Sequence, residues 1–183
     1  STAINRGTAS GDDSFAVGLG TVASGDHSTA WISGDASGES STAWIGGVAN
    51  GNKSTAWING TASGDNSTAW IGGIASGDNS TAWSSGDAIG EASTAWNKGI
   101  ASGDNSTAWN EGISQSFLET SFGQYVDTAA IKDVDSWVAT DRLLTIGNGT
   151  SGSPSNALVM LKNGNTTVNG NWTFSDTIMA DEG

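Results

Sequence analysis

Carboxylates recurring at thirteen-residue intervals are the residues of this sequence best placed for chemistry. Asp65, Asp78, Glu91 and Asp104 stand at the same point of four successive repeat units. Clustered carboxylate oxygens are ligands that hard cations such as Ca²⁺ take. Like charges stacked at a regular spacing also repel, and Asp or Asn after Gly commonly caps a solvated turn. We favour the turn and assign no metal, because the spacing lacks the order of a calcium loop; a cation-binding edge stays open.

Residues for other catalytic chemistry are missing. His27 is the only histidine and cysteine is absent, so a His-based triad, a Cys nucleophile and a His cluster for zinc are excluded. The stretch "GNKST" (51–55) is one repeat turn in phase with the others, without the upstream glycine of a phosphate-binding loop. We predict that the chain is not an enzyme and takes no cofactor.

The charge balance limits the partners. The chain has 183 residues, a net charge of −13 and a pI near 4.1, which argue against binding nucleic acid phosphates or acidic membrane surfaces. No apolar run is long enough to span a bilayer, so we predict no membrane insertion within this stretch. Because the chain starts in phase with its own repeat, we expect it to be a piece of a longer protein.

A short repeat organises residues 1–114. "STAW" begins every 13 residues from Ser28 to Ser106, after a 14-residue unit "SFAVGLGTVASGDH" and a 13-residue unit "STAINRGTASGDD". Counting from the Ser, positions 3 and 9 are Ala and positions 7 and 11 are Gly. Each unit reads as strand, turn, strand, turn, with Gly expected where φ must be positive. Low-complexity disorder is disfavoured, because disordered segments rarely hold Trp in strict phase.

Thirteen residues suit one coil of a parallel β-solenoid. Coils stacked about 4.8 Å apart would give a rod on the order of 40 Å long. Because side chains alternate along a strand, the Ala of "STAW" faces the coil interior and the Trp faces outwards. The predicted interior is Ala30, Ala43, Ala56, Ala69, Ala82, Ala95 and Ala108. The predicted outer ladder is Trp31, Trp44, Trp57, Trp70, Trp83, Trp96 and Trp109. Soluble monomers rarely expose such a stripe, so we predict that another chain buries it.

The unit "SFAVGLGTVASGDH", with its S-x-A-x-G start and A-S-G-D end, resembles the head repeats of trimeric autotransporter adhesins, the YadA-like or haemagglutinin-type repeats. The resemblance covers roughly residues 1–114. It implies a left-handed parallel β-roll, three chains packed about a common axis, and an extracellular, cell-surface location. The Trp ladder would then be the homotrimer interface. Two departures are the Trp at position 4, aliphatic only as Ile4 and Val17, and the period of 13 instead of the commoner 14.

Three functions fit this sequence. The first is a trimeric surface fibre or adhesin segment, a structural rod that attaches to cells or surfaces through an unidentified receptor, with glycans among the candidates. The second is the receptor-binding tail fibre of a phage or contractile injection device, located on that particle. The third is a ligand-binding module whose exposed Trp faces stack on glycans or, less favoured, whose flat Thr/Trp face binds ice.

The remainder divides into two segments. Residues 115–135, where the repeat stops, read as a neck or connector. Residues 136–183 read as a small β-hairpin-rich element, because "LLTIGNGT" and "ALVMLKNGNTTVNG" are apolar runs divided by Asn-Gly pairs. This last stretch resembles segments found beside YadA-like repeats and in phage-fibre proteins. The predicted fold class is therefore all-β: a β-roll solenoid of 13–14-residue coils, trimeric, followed by a small β element.

Overall fold

The computed structural model describes residues 1–128 and 133–170. The described residues form strands joined by turns, without a helix, so none of their segments could cross a membrane as a helix. The strands make two sheets that face each other, one of thirteen strands and one of nine. The predicted all-β class and the parallel solenoid of thirteen-residue coils are both confirmed.

The two sheets alternate along the chain. The first sheet contains β1 (Thr2–Ile4), β3 (Phe15–Val17), β5 (Thr29–Trp31), β7 (Thr42–Ala43), β9 (Thr55–Ala56), β11 (Thr68–Ala69), β13 (Thr81–Trp83), β15 (Thr94–Trp96), β17 (Thr107–Trp109), β19 (Thr120–Gln124), β20 (Arg142–Asn148), β21 (Asn156–Leu161) and β22 (Thr166–Val168). The second sheet contains β2 (Thr8–Ala9), β4 (Val22–Ala23), β6 (Asp35–Ala36), β8 (Val48–Ala49), β10 (Thr61–Ala62), β12 (Ile74–Ala75), β14 (Asp87–Ala88), β16 (Ile100–Ala101) and β18 (Ile113–Ser114). All pairs are parallel up to β20, and β20–β21 and β21–β22 are antiparallel.

The register places each residue beside its copy in the next coil. Ala69, for example, pairs with Ala56 on one side and with Ala82 on the other. The space between the sheets is filled by one alanine from each strand from β3 to β17, each with no exposed surface: Ala16, Ala23, Ala30, Ala36, Ala43, Ala49, Ala56, Ala62, Ala69, Ala75, Ala82, Ala88, Ala95, Ala101 and Ala108. The predicted interior alanines all lie in this row. A methyl-sized side chain is what two such closely spaced sheets can hold.

The positive backbone angles lie beside the repeated glycines. In the turn from Trp57 to Gly60, Ile58 and Asn59 have φ of 23° and 58°, and the Gly60 N–H donates to the Trp57 carbonyl at 2.7 Å. At the other corner the positive φ belongs to residues such as Asn66, at 56°. The expectation that glycine at positions 7 and 11 supplies positive φ is therefore wrong.

Those glycines are needed because the next coil passes against them. A Cβ on Gly60 would lie 2.7 Å from the carbonyl oxygen of Ala69. A Cβ on Gly64 would overlap the carbonyl oxygen of Gly77, and this arrangement recurs along the column of position-11 glycines. Glycine thus sets how closely successive coils can stack.

Parallel pairing continues past residue 114. Thr120 pairs with Thr107 and Phe122 with Trp109, so β19 occupies the next coil in phase. β20 then pairs in parallel with β19, and β21 and β22 complete the antiparallel end of the sheet. β20–β22 fall within the predicted 136–183 segment, of which 171–183 lie outside the described residues. The division of the chain into three segments stays a prediction.

A buried polar cluster lies at this end of the solenoid, where the rows of alanine stop. Glu119, fully buried where other coils carry Ser, lies 3.0 Å from the Arg142 guanidinium. The Glu119 carboxylate also accepts hydrogen bonds from the Thr145 hydroxyl at 2.9 Å and the Gln115 N–H at 2.8 Å. A buried charge needs such a full set of partners. The cluster therefore ties the last coil to β20.

Candidate interaction surface

The seven predicted tryptophans form one continuous stack on the outer side of the first sheet. Adjacent ring centroids are 4.6–5.2 Å apart and the ring planes differ by 1–7°. Each Trp is half-buried in the single chain. Phenylalanines end the stack: Phe15 meets Trp31 edge-on at 5.3 Å, and Phe122 lies 6.4 Å from Trp109. The parallel register produces this stack, because it sets identical side chains one coil apart.

The stacking covers the ring faces. Carbon atoms in contact are about 3.5–4.0 Å apart, so a sugar held between two rings would need roughly 7 Å between them. The observed spacing leaves no such gap, and the inner rings present only their edges to the outside. This spacing does not favour the alternative in which the ladder offers open aromatic faces to glycans, which stays a prediction. An apolar strip of ring edges remains, and a second surface can pack against it.

A row of exposed isoleucines follows the ladder Trp over four coils. Ile32, Ile45, Ile58 and Ile71 each follow a ladder Trp and are 41–58% exposed. Their φ angles are 23–41°, a region that β-branched residues rarely adopt. Later coils carry Ser or Asn at this position. Strained and exposed apolar side chains in a row are typical of a surface that another molecule covers.

The predicted acidic edge forms a ladder of hydrogen bonds. The N–H of Asp65 donates to Oδ1 of Asp78 at 2.8 Å, and the N–H of Glu91 donates to Oδ1 of Asp104 at 2.8 Å. Asp65 in turn accepts from the N–H of Asn52 at 2.8 Å. Within residues 1–128 and 133–170, no group of three or more acidic or His side chains is placed to hold a metal. The geometry is that of a turn in which each short acidic side chain serves the backbone of the preceding coil.

The family comparison agrees with this architecture. The sequence model of the YadA head domain repeat matches residues 9–30 in two copies, a stretch that contains β3 and β4. Residues 9–30 therefore contain two YadA-like head repeats. YadA-like heads are homotrimers in general, and adhesins of this family are displayed on the cell surface. No curated protein matches the chain. The resemblance of the C-terminal segment to fibre proteins stays a prediction.

Three features of this solenoid were not predicted from the sequence. Phe122 stands 13 residues after Trp109, which was the signal that the ladder continues. The row of Ile after Trp was visible as "WI" in four units, but its backbone strain was not. Glu119 occupies the position of a repeat serine, and this change of residue type hid the last coil.

Proposed function

We propose that this chain is a segment of a trimeric surface adhesin, a rod in which three solenoids pack through their Trp ladders. One observation carries the proposal: a continuous apolar stripe of seven half-buried Trp lies outside a coil whose own interior is already filled by alanine. The stripe is therefore not needed to close the solenoid. An apolar strip of this length is what a neighbouring chain would cover.

The mechanism is mechanical. Every coil is hydrogen-bonded to the next along both sheets, so the rod resists bending and extension. Three rods around one axis would bury their ladders and leave the acidic edges and the second sheets facing outwards. Repeated surfaces along such a fibre turn weak single contacts into firm attachment to a cell or surface. The cell-surface scheme is supported by the YadA match, whereas no described residue favours the injection-device scheme.

The test is the solution mass of the 18.4 kDa chain, measured by sedimentation at low concentration. A trimer is expected, with blue-shifted Trp emission that resists acrylamide quenching. A matched pair of variants locates the interface: Trp57→Ser removes a ladder ring, and Ile74→Ser removes an exposed apolar residue of the second sheet. Trp57→Ser should shift the mass towards monomer and Ile74→Ser should not. A monomeric wild-type chain with quenchable Trp would overturn the proposal.

A further inference from the structure

The outer face of the second sheet carries two isolated carboxylates in an apolar row. Position 8 of successive coils, from Val22 to Ile113, is Val, Asp, Val, Thr, Ile, Asp, Ile and Ile. Asp35 lies between Val22 and Val48 of the adjoining strands. Asp87 lies between Ile74 and Ile100 in the same way. This face is on the opposite side of the solenoid from the Trp ladder.

Neither carboxylate has a cationic partner in the described part of the chain. The ion pairs there are His27–Asp13, Lys98–Glu111 and Arg142–Glu119. Oδ1 of Asp35 is buried and accepts no hydrogen bond. Burial raises the pKa of Asp87. A carboxylate that is partly desolvated and unpaired is stabilised more by an incoming cation than a fully solvated carboxylate is.

We propose that this face binds an extended segment of a partner protein through two basic side chains and the apolar side chains between them. Asp35 and Asp87 are four coils apart, which is about 19 Å at 4.8 Å per coil. In an extended strand, residues about six apart are separated by roughly 20 Å and point to the same side. Val48, Thr61 and Ile74 lie between the carboxylates and would contact the intervening side chains. The fitting pattern is basic-x-apolar-x-apolar-x-basic.

The binding test uses the full chain and a synthetic peptide that contains Arg-Thr-Val-Thr-Val-Thr-Arg. The control peptide has the same composition with the two Arg adjacent. Affinity is measured by fluorescence anisotropy at low and high salt. The spaced peptide should bind more tightly than the control, and added salt should weaken its binding. Equal affinity for the two peptides, or no binding of either, would overturn the proposal.

Variants on two different surfaces separate the face from the net charge of the chain. Asp35→Asn and Asp87→Asn should each weaken binding by about fivefold, the effect of losing one modest ion pair. The double variant Asp65→Asn/Asp78→Asn removes two charges from the acidic edge and should change affinity by less than about twofold. Uncharged residues at position 8 of other coils show that the fold accepts them. An equal loss in both sets would mean general attraction to an acidic rod, and the proposal fails.

The same variants distinguish this inference from the assembly of the fibre. Asp35→Asn/Asp87→Asn should leave the solution mass of the chain unchanged, because the Trp ladder is on the other side. A mass that changes with these variants would make the second sheet an interface between copies of this chain and would refute the peptide site. A chain that is monomeric yet binds the spaced peptide would refute the trimer and leave this inference standing.

Discussion

Replacement of a central ring tests whether the Trp ladder stabilises the fold. Trp57 stacks on Trp44 at 5.0 Å and on Trp70 at 4.8 Å, so Trp57→Ala removes two ring contacts. At about 0.5–1.5 kcal/mol per aromatic pair beyond the buried area, the stacking energy lost is about 1–3 kcal/mol per chain. For a chain of this size, that lowers Tm by about 2–12 °C. If three chains pack through their ladders, each trimer loses this amount three times.

Thermal unfolding followed by circular dichroism measures the effect. Trp57→Phe keeps a ring in the stack and should recover most of the loss. Ile74→Ala, on the opposite face, controls for the removal of an exposed apolar side chain. The Tm of a trimer also rises with protein concentration, and Trp57→Ala should reduce this dependence. If Trp57→Ala lowers the Tm no more than Ile74→Ala or Trp57→Phe does, ring stacking adds nothing to the stability of the rod.

Three further substitutions test the coil contacts. Gly64→Ala places a Cβ against the next coil and should lower the free energy of unfolding, measured in urea, by about 3 kcal/mol. In the control Gly152→Ala, the added Cβ has no atom within 4 Å, and the urea midpoint should stay nearly unchanged. Glu119→Gln leaves the buried Arg142 charge poorly compensated and should lower the free energy of unfolding by about 3–5 kcal/mol. Amide hydrogen exchange in β20 should then become faster, and unchanged exchange would contradict the role of this ion pair. Ile58→Asn relieves a β-branched residue at positive φ, so in the Trp57→Ser background, where the chains are expected to be monomeric, it should raise the free energy of unfolding by about 1 kcal/mol, and a lower Tm in that background would refute the strain.

The repeated part of the fold could be predicted because one physical rule acts on every coil. Alternation along a strand places Ala69 inside and Trp70 outside, and the constant period places each above its copy. The stacked rings follow from that register. Whether the rings would offer faces or edges could not be predicted, because this depends on side-chain torsion angles that the spacing does not fix.

The non-repeating contacts could not be predicted in the same way. Glu119 reads as an isolated acidic residue until Arg142, 23 positions later, is brought against it. The glycine columns were predicted at the correct positions but for the wrong reason. Close approach between coils depends on the path of the neighbouring backbone, which a single unit such as residues 54–66 does not show.

The contacts between coils also make the length of this rod a modular quantity. Ring stacking, alanine pairing and the hydrogen bonds of the acidic edge all join residues one unit apart. When one whole unit is lost or gained, the coils on either side of the change therefore make the same kinds of contact as before. The rod would then shorten or lengthen by about 4.8 Å without a new surface. The 14-residue unit shows the tolerance, since its first turn contains Gly18 and Gly20 at φ of 122° and 71°. The distance that such a fibre reaches can therefore vary by copy number alone, while each coil stays chemically the same.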